Sequence, residues 1–423
     1  MTSRAARRRF LVLTALRWLP AGFTLPVLVL LPLERGLTLA EVGMAFAVQG
    51  FVVFFLELPT GGLSDSLGRK PVLLMAGVVG VASHGLMVVA HGFGAFVVVY
   101  ALQGVYRALD SGPLDAWYVD AALAADPNAE IDRGMSAAGV VIGLGMGAGA
   151  LLAGGLIAWT GALVLPVIVA VAVKLANIVV LSLLLKEIRP DHRPRGSVRD
   201  VPRVIGEALG LLRRSRILLA LICVELFWGF GMVTFEMLMP VRLAEVTANP
   251  DTAASLLGPV TTAAWFASSL GAAVVGVAGR RFGVAYTAAA LRILHGITVV
   301  AMGLFAGPVG LIAAFLACYM VHGAANPPHM TLLHSQVDSA HRSTVVSLNS
   351  LVAQPAGALG GIVLTALAAG TSVSTAIIVG AVVLALAAPL YLPAARVARS
   401  GNLEDTQPPM VATLPQSATA KGS

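Results

Sequence analysis

Gly61-Gly62-Leu63-Ser64-Asp65-Ser66-Leu67-Gly68-Arg69-Lys70-Pro71 lies between two long apolar runs. A short polar stretch in that setting reads as a tight loop joining two membrane helices. Gly61 and Gly62 permit close approach of helix backbones. Asp65 suits a helix N-terminus, where unpaired N–H groups and the dipole favour negative charge. Arg69 and Lys70 mark the cytoplasmic side. Pro71 suits the first turn of the next helix, where its missing N–H costs nothing.

Composition agrees with a polytopic membrane chain. Of 423 residues, 57% are hydrophobic and 12% charged, with mean hydropathy +0.87. Soluble domains carry about 25% charged residues. Apolar runs fall at 10–33, 39–58, 71–90, 95–118, 136–157 and 163–185, then at 216–240, 254–278, 285–305, 309–325, 344–369 and 373–394. A helix needs roughly 20 residues to cross the hydrocarbon. The first run is too long for a signal peptide and is followed by many others. Twelve spans result.

The two sixes are separated by 186–215, rich in Arg and Pro, part of which (198–213) suits an amphipathic helix on the anionic inner leaflet. The expected organisation is a six-helix bundle over 1–185, a linker over 186–215, a second bundle over 216–396, and a disordered tail over 397–423. Of the 28 Lys and Arg, only Arg35 and Arg242 fall in loops opposite the linker, and Arg17, Arg107, Lys174 and Arg292 lie within runs. The rest share the linker's side, which places both termini in the cytoplasm of a plasma or inner membrane. The net charge of +7 is therefore a membrane-facing rim, which removes a nucleic-acid partner. Cys223 and Cys318 sit in apolar runs, with no metal spacing and no disulfide framework. No cofactor and no metal is expected. A Gly run on the fifth helix lacks the strand and Lys-Ser/Thr of a phosphate loop, and no ATPase motif is present.

The opening stretch reads G-x-L-S-D-x-x-G-R-K and closely resembles the loop signature between helices 2 and 3 of the major facilitator superfamily. Leu56-Glu57-Leu58-Pro59-Thr60-Gly61 resembles the E-x-P-T-G helix-2 end of a drug/proton antiporter-like branch. Ser111 to Trp117 with Asp120 resembles that branch's helix-4 exit, and Arg342 to Leu348 its helix-11 start. Gly154-Gly155 occurs on helix 5 without the preceding Pro that drug/proton antiporters often carry. Gly276-Val277-Ala278-Gly279-Arg280-Arg281-Phe282-Gly283 repeats the spacing of Gly61 to Gly68 in the second half. The resemblance implies an all-α membrane fold, twelve helices in two pseudo-symmetric six-helix bundles, a midplane substrate site and a monomer.

Charges inside spans are costly and mark function or pairing. Arg107 and Asp110, three apart, share a helix face. The resemblance turns that face to the central cavity, where the two form either a proton or substrate site or a static ion pair. Glu225, followed by Phe227 and Trp228 as apolar cavity wall, suits proton exchange or a cationic aromatic solute. It equally suits pairing with a base such as Arg17. Arg17 either snorkels or binds substrate, and Glu236 either snorkels at the outer end of its helix or joins the site. Lys174 and Arg292 fall on helices peripheral in the family, where pairing or snorkelling is expected. His84, His295 and His322 are lone histidines, of which His322 is assigned a cavity position. Glu57, Asp65, Gly68, Arg69, Asp120 and Arg342 are the gating set. By resemblance Arg69 meets Asp120, and Asp65 meets the start of helix 11, latching an outward-open state.

The expected function is secondary active transport: proton-coupled efflux of a small amphipathic compound through a lipid bilayer, with Asp110, Glu225 and Arg107 as coupling groups. An importer of a small metabolite is the alternative, and a non-transporting membrane sensor the remote one. The chain is not expected to be an enzyme.

Overall fold

A computed structural model of the chain describes residues 2–187, 206, 210–337 and 342–400, with side chains except at Asp65, Pro250, 342–344 and 398–400. The greater part of the linker and the tail beyond residue 400 lie outside it, and with them most of the expected interfacial helix, of which residues 206 and 210–213 are described and helical. Among the described residues twelve helices are long and apolar enough to cross a membrane. They are α1 (Ser3–Val27), α2 (Leu39–Ser64), α3 (Arg69–Val89), α4 (Gly92–Ala125), α5 (Ile131–Thr160), α6 (Leu165–Leu184), α7 (Arg216–Thr247), α8 (Asp251–Phe282), α9 (Val284–Leu304), α10 (Pro308–Ser335), α11 (Val345–Gly370) and α12 (Val373–Val397).

Helices are the natural answer because hydrocarbon offers the backbone no hydrogen bonds. Polar caps close several ends. Thr38 and Glu41 form a reciprocal capping box at α2, and Asn249 accepts from two N–H groups at α8. Three spans depart from a plain helix. α4 breaks at Ser111–Gly112, where Gly112 has φ 89°. α7 contains a π-helical turn, Thr234–Leu238. α10 runs on through Pro327 and Pro328, ten residues past the end expected from the apolar run at 325.

The expected loop at Gly61–Pro71 is almost wholly helical. Helix continues to Leu67 and resumes at Arg69, so Gly68 alone makes the break, at φ 96° and ψ 160°. Gly283 does the same between α8 and α9, at φ 86° and ψ 145°. A backbone in that region suits glycine, which explains why the spacing repeats while Asp65 and Arg280 differ. Space around Gly61 is open, so it does not serve close packing as expected.

Helix packing repeats with an offset of six. α1 packs on α5, α2 on α4 and α3 on α6; α7 packs on α11, α8 on α10 and α9 on α12. Between halves, α2 meets α11 and α5 meets α8, a pairing that the same offset maps onto itself. These are two pseudo-symmetric six-helix bundles.

The apolar core shows which end is closed. One cluster draws on both halves, from Leu31, Val42 and Phe96 to Phe235, Leu257 and Leu364, all toward the end opposite the linker. At the linker end the halves have separate cores, one around Phe10, Trp117 and Tyr118 and one around Leu221, Leu333 and Tyr391. The far end is sealed by backbone contact. A Cβ on Gly258 would lie 2.4 Å from the Ala150 carbonyl oxygen and 2.8 Å from the Cα of Gly154. A Cβ on Gly43 would meet the Gly361 carbonyl at 2.4 Å. The Thr262 hydroxyl donates across the same seam to the Gly147 carbonyl at 2.8 Å. The halves are joined far from the linker and parted near it.

Candidate functional site

Where the halves part lies a cavity of about 760 Å³. Its walls include Gly139 and Gly143 of α5 but come chiefly from the second half: Glu225 and Trp228 of α7, Arg292 of α9, His322 of α10 and Asn349 of α11. Glu225 and Trp228, one helical turn apart on α7, both line it. Phe227, expected in the wall, packs instead against the linker-end core of the second half.

Glu225 is buried, with 9% of its side chain exposed, and cannot stand unpaired. Its Oε1 lies 3.9 Å from Nη2 of Arg292 and 3.3 Å from Nε2 of His329. The partner is thus Arg292 rather than Arg17, and α9 contributes directly to the cavity despite its outlying position. His329 was not evident from the sequence, because Pro327-Pro328 read as the end of the tenth run. The signal was there in its spacing: His329 follows His322 by seven residues, two helical turns along one face. His329 Nε2 also lies 3.1 Å from Asn349 Oδ1, and its Nδ1 lies 2.9 Å from the Tyr391 hydroxyl. His322 takes the expected place: the Trp228 indole N–H donates to its Nδ1 at 3.4 Å, with the rings stacked at 5.7 Å.

Asp110 does not reach this cavity and does not pair with Arg107. It pairs with Arg17 of α1, whose Nη2 also donates to the Asp110 carbonyl oxygen at 2.8 Å. Sequence spacing put Arg107 on the same face, but a three-residue step leaves about 60° between the side chains. Asp110 turns into the first bundle, toward a small cavity of about 20 Å³ between α1, α3, α4 and α6. Lys174 of α6 enters that cavity, its Nζ 3.9 Å from the Tyr106 ring centroid. Arg17, once a candidate substrate ligand, is therefore held in a buried cluster. Arg107 is exposed and lies within electrostatic reach of Glu57 in its own half and Glu236 in the other. Glu236 is the exposed member of the π-helical turn, whose Thr234, Phe235, Met237 and Leu238 are buried. A π turn rotates one side chain out of helical register, a device frequent at functional sites.

At the linker end of the first half, Arg69 pairs with Asp120 as the resemblance implied. The side chains of Asp65 and Arg342 lie outside the described residues, and with them the expected contact between Asp65 and the start of helix 11. The carboxylate that sits at the α3 N-terminus is Glu187. It accepts from the N–H of Arg69 at 3.0 Å and of Lys70 at 2.8 Å. A Cβ at position 68 would lie 2.9 Å from that carboxylate, a second reason for glycine there. Trp117 Nε1 donates to the Lys186 carbonyl at 2.8 Å, which fixes the start of the linker. Glu187→Ala is expected to destabilise the first bundle by about 1 kcal/mol, the usual worth of a cap. The check is a lower Tm in detergent, with Glu187→Asp intermediate.

The sequence profile of the Major Facilitator Superfamily matches residues 10–361. The chain belongs to this superfamily. Comparison with curated proteins finds no match. Among solved structures, the nucleoside transporter NupG superposes with a TM-score of 0.75 at 14% identity, over 92% of this chain and 98% of that one. A bacterial homologue of the human lysosomal transporter Spinster, inward-facing and unoccupied, gives 0.75 at 14% identity, over 96% and 99%. The human organic anion transporter MFSD10 gives 0.63 at 17% identity, over 92% and 100%. At these identities the likeness is one of fold. This superfamily member is a multi-pass membrane transporter, which implies a lipid bilayer and a small-molecule substrate, and it points away from an enzyme.

Proposed function

We propose that this transporter is a proton-coupled exporter of a small amphipathic compound, a drug or secondary metabolite, working by alternating access. The observation that carries the reading is an acid in the cavity wall held by bases from two other helices: Glu225 with Arg292 and His329. When Glu225 takes a proton from cavity water, an O–H bond forms and the charge answered by Arg292 is gone. The tie between α7 and α9 then loosens, and an equilibrium between two arrangements shifts. Trp228 and Trp265 supply aromatic wall, while Ser268, Asn326 and Gln354 supply polar edges, which suits a solute with both characters. The distribution of Lys and Arg assigns the linker and both termini to the cytoplasm of a plasma or inner membrane. The cavity then opens inward, the loading state of an exporter.

Import of a small metabolite is the second reading. Two tryptophans beside amides would also hold a polar planar ring, and NupG is a nucleoside transporter. The sign of coupling separates the two. In everted vesicles, an inside-acid gradient should drive accumulation of compounds that release protons on addition to proteoliposomes. Glu225→Gln is expected to abolish gradient-driven accumulation, by tenfold or more on the scale of about 1.4 kcal/mol per decade, and to spare solute exchange at equal pH. Gradient-driven transport that survives Glu225→Gln contradicts the coupling role, and accumulation under the opposite gradient makes it an importer.

A further inference from the structure

The four groups around Glu225 have a directionality that the acid alone does not explain. His329 is buried at 1% exposure and Tyr391 at 1%, so neither ring exchanges partners with bulk water. On one edge of the imidazole, Nε2 faces two oxygens, Glu225 Oε1 at 3.3 Å and Asn349 Oδ1 at 3.1 Å. A carboxylate accepts only, and so does an amide oxygen, so Nε2 must carry a hydrogen. On the other edge, Nδ1 faces the Tyr391 hydroxyl at 2.9 Å. In the neutral ring Nδ1 is then the acceptor and Tyr391 the donor. Arg292 can only donate to the same hydroxyl, so the Tyr391 hydrogen is left for Nδ1 and agrees with the tautomer that Glu225 and Asn349 require.

We propose that His329, held in one tautomer by the acceptors at Nε2 and the Tyr391 hydroxyl at Nδ1, is the positioning residue that couples the protonation of Glu225 on α7 to α11. Its Nε2–H stands between two acceptors on different helices. While Glu225 is ionised the hydrogen is shared, and the ring reinforces through α10 the direct hydrogen bond between Glu225 of α7 and Asn349 of α11. When Glu225 takes a proton from cavity water, one O–H bond forms and the carboxyl becomes a poorer acceptor. The Nε2–H bond stays intact and turns wholly to Asn349. No proton passes through the imidazole; only its hydrogen bond is reassigned. α7 is freed on the His329 side as it is on the Arg292 side, while α10 and α11 are drawn together. Among the described residues, the charged or titratable groups facing Glu225 and His329 are Arg292 of α9 and Tyr391 of α12, which are hydrogen-bonded to each other, and Asn349 is the neutral member, hydrogen-bonded to both Glu225 and His329. α11 also packs on α2 across the halves, so a change at Asn349 acts on a helix of the inter-half seam.

The inference rests on Glu225 being the proton carrier, and the test separates the two. The probe is the proton itself: infrared difference titration of the full-length protein in liposomes, reading the carboxylic C=O stretch, with ¹⁵N-histidine NMR for the tautomer. Wild type should gain a C=O band on acidification, and Glu225→Gln should lose it. Wild-type His329 should show a single Nε2–H tautomer. Tyr391→Phe should keep the Nε2–H tautomer, which its two acceptors require, and displace the midpoint of the Glu225 band by about half to one pH unit, the worth of one hydrogen bond. His329→Phe should displace it similarly, and His329→Gln, which restores an N–H donor, should return it partway. A band that persists in Glu225→Gln overturns the proton-carrier reading. A band lost in Glu225→Gln but unmoved in Tyr391→Phe and His329→Phe overturns the His329 role alone. Folding of each variant is checked by size exclusion and Tm, and should Tyr391→Phe fail to fold, the contrast between His329→Phe and His329→Gln decides the role of His329.

Discussion

Asp110→Asn is expected to cost about 3–5 kcal/mol of stability, the loss seen when one partner of a buried ion pair is removed. The side chains of Arg17 and Asp110 are 15% and 13% exposed, and Lys174 shares their cavity. Removal of Asp110 leaves Lys174 without an acid in that cavity and Arg17 with only the more distant charge of Asp115. Arg17→Met should be milder, because Lys174 remains beside Asp110, and Arg17→Met with Asp110→Asn should recover part of the loss. The order of Tm in detergent and of yield in membranes is thus wild type, then Arg17→Met, then Asp110→Asn, with the double variant above Asp110→Asn. The sequence-based assignment of Asp110 as a proton carrier predicts a different result: a stable Asp110→Asn protein that cannot couple. A variant with unchanged Tm and no gradient-driven transport would return Asp110 to the coupling machinery.

Gly258→Leu is expected to have the largest effect on conformation. Its Cβ would fall 2.4 Å from a backbone carbonyl oxygen of α5, and backbone cannot turn aside as a side chain can. Overpacking of this kind costs about 1–3 kcal/mol or more, and it is levied only in the state with the far end closed. The balance between the two openings should move by about tenfold or more toward the far-end-open state. Ser350, exposed and in the cavity wall, reports it. With Cys223 and Cys318 replaced by Ala, Ser350→Cys should react rapidly with a membrane-impermeant maleimide from the linker side. Adding Gly258→Leu should slow that reaction at least tenfold and open a reaction from the far side. Equal rates with and without Gly258→Leu would mean that the α5–α8 seam is no gate.

The fold was legible because hydrocarbon imposes one rule on every span. Runs of about 20 apolar residues, a charged linker and a repeated glycine spacing needed no tertiary knowledge. The misread end of α10 came from Pro327-Pro328, which stop helices in water but sit within this one. The site was legible in its residue types and less so in its partners. Glu225, Trp228 and His322 stand where a polar group in an apolar helix must face a wet interior. Pairing failed at Asp110 because helical spacing gives neighbours on one helix, whereas Arg17 arrives from another. Arg292 and His329 depended on the same long-range information. Arg69 with Asp120 succeeded because the resemblance supplied the contact between helices that spacing alone cannot.

The central claim is that a proton on Glu225 sets which end of the cavity is open. Double electron–electron resonance between labels at Leu67 and Phe282, both exposed at the linker ends of α2 and α8, measures it directly in liposomes. The account predicts that the distance distribution of otherwise wild-type protein redistributes between two populations as pH falls, and that Glu225→Gln holds one population at every pH. A pH response that is the same in Glu225→Gln as in wild type would contradict it.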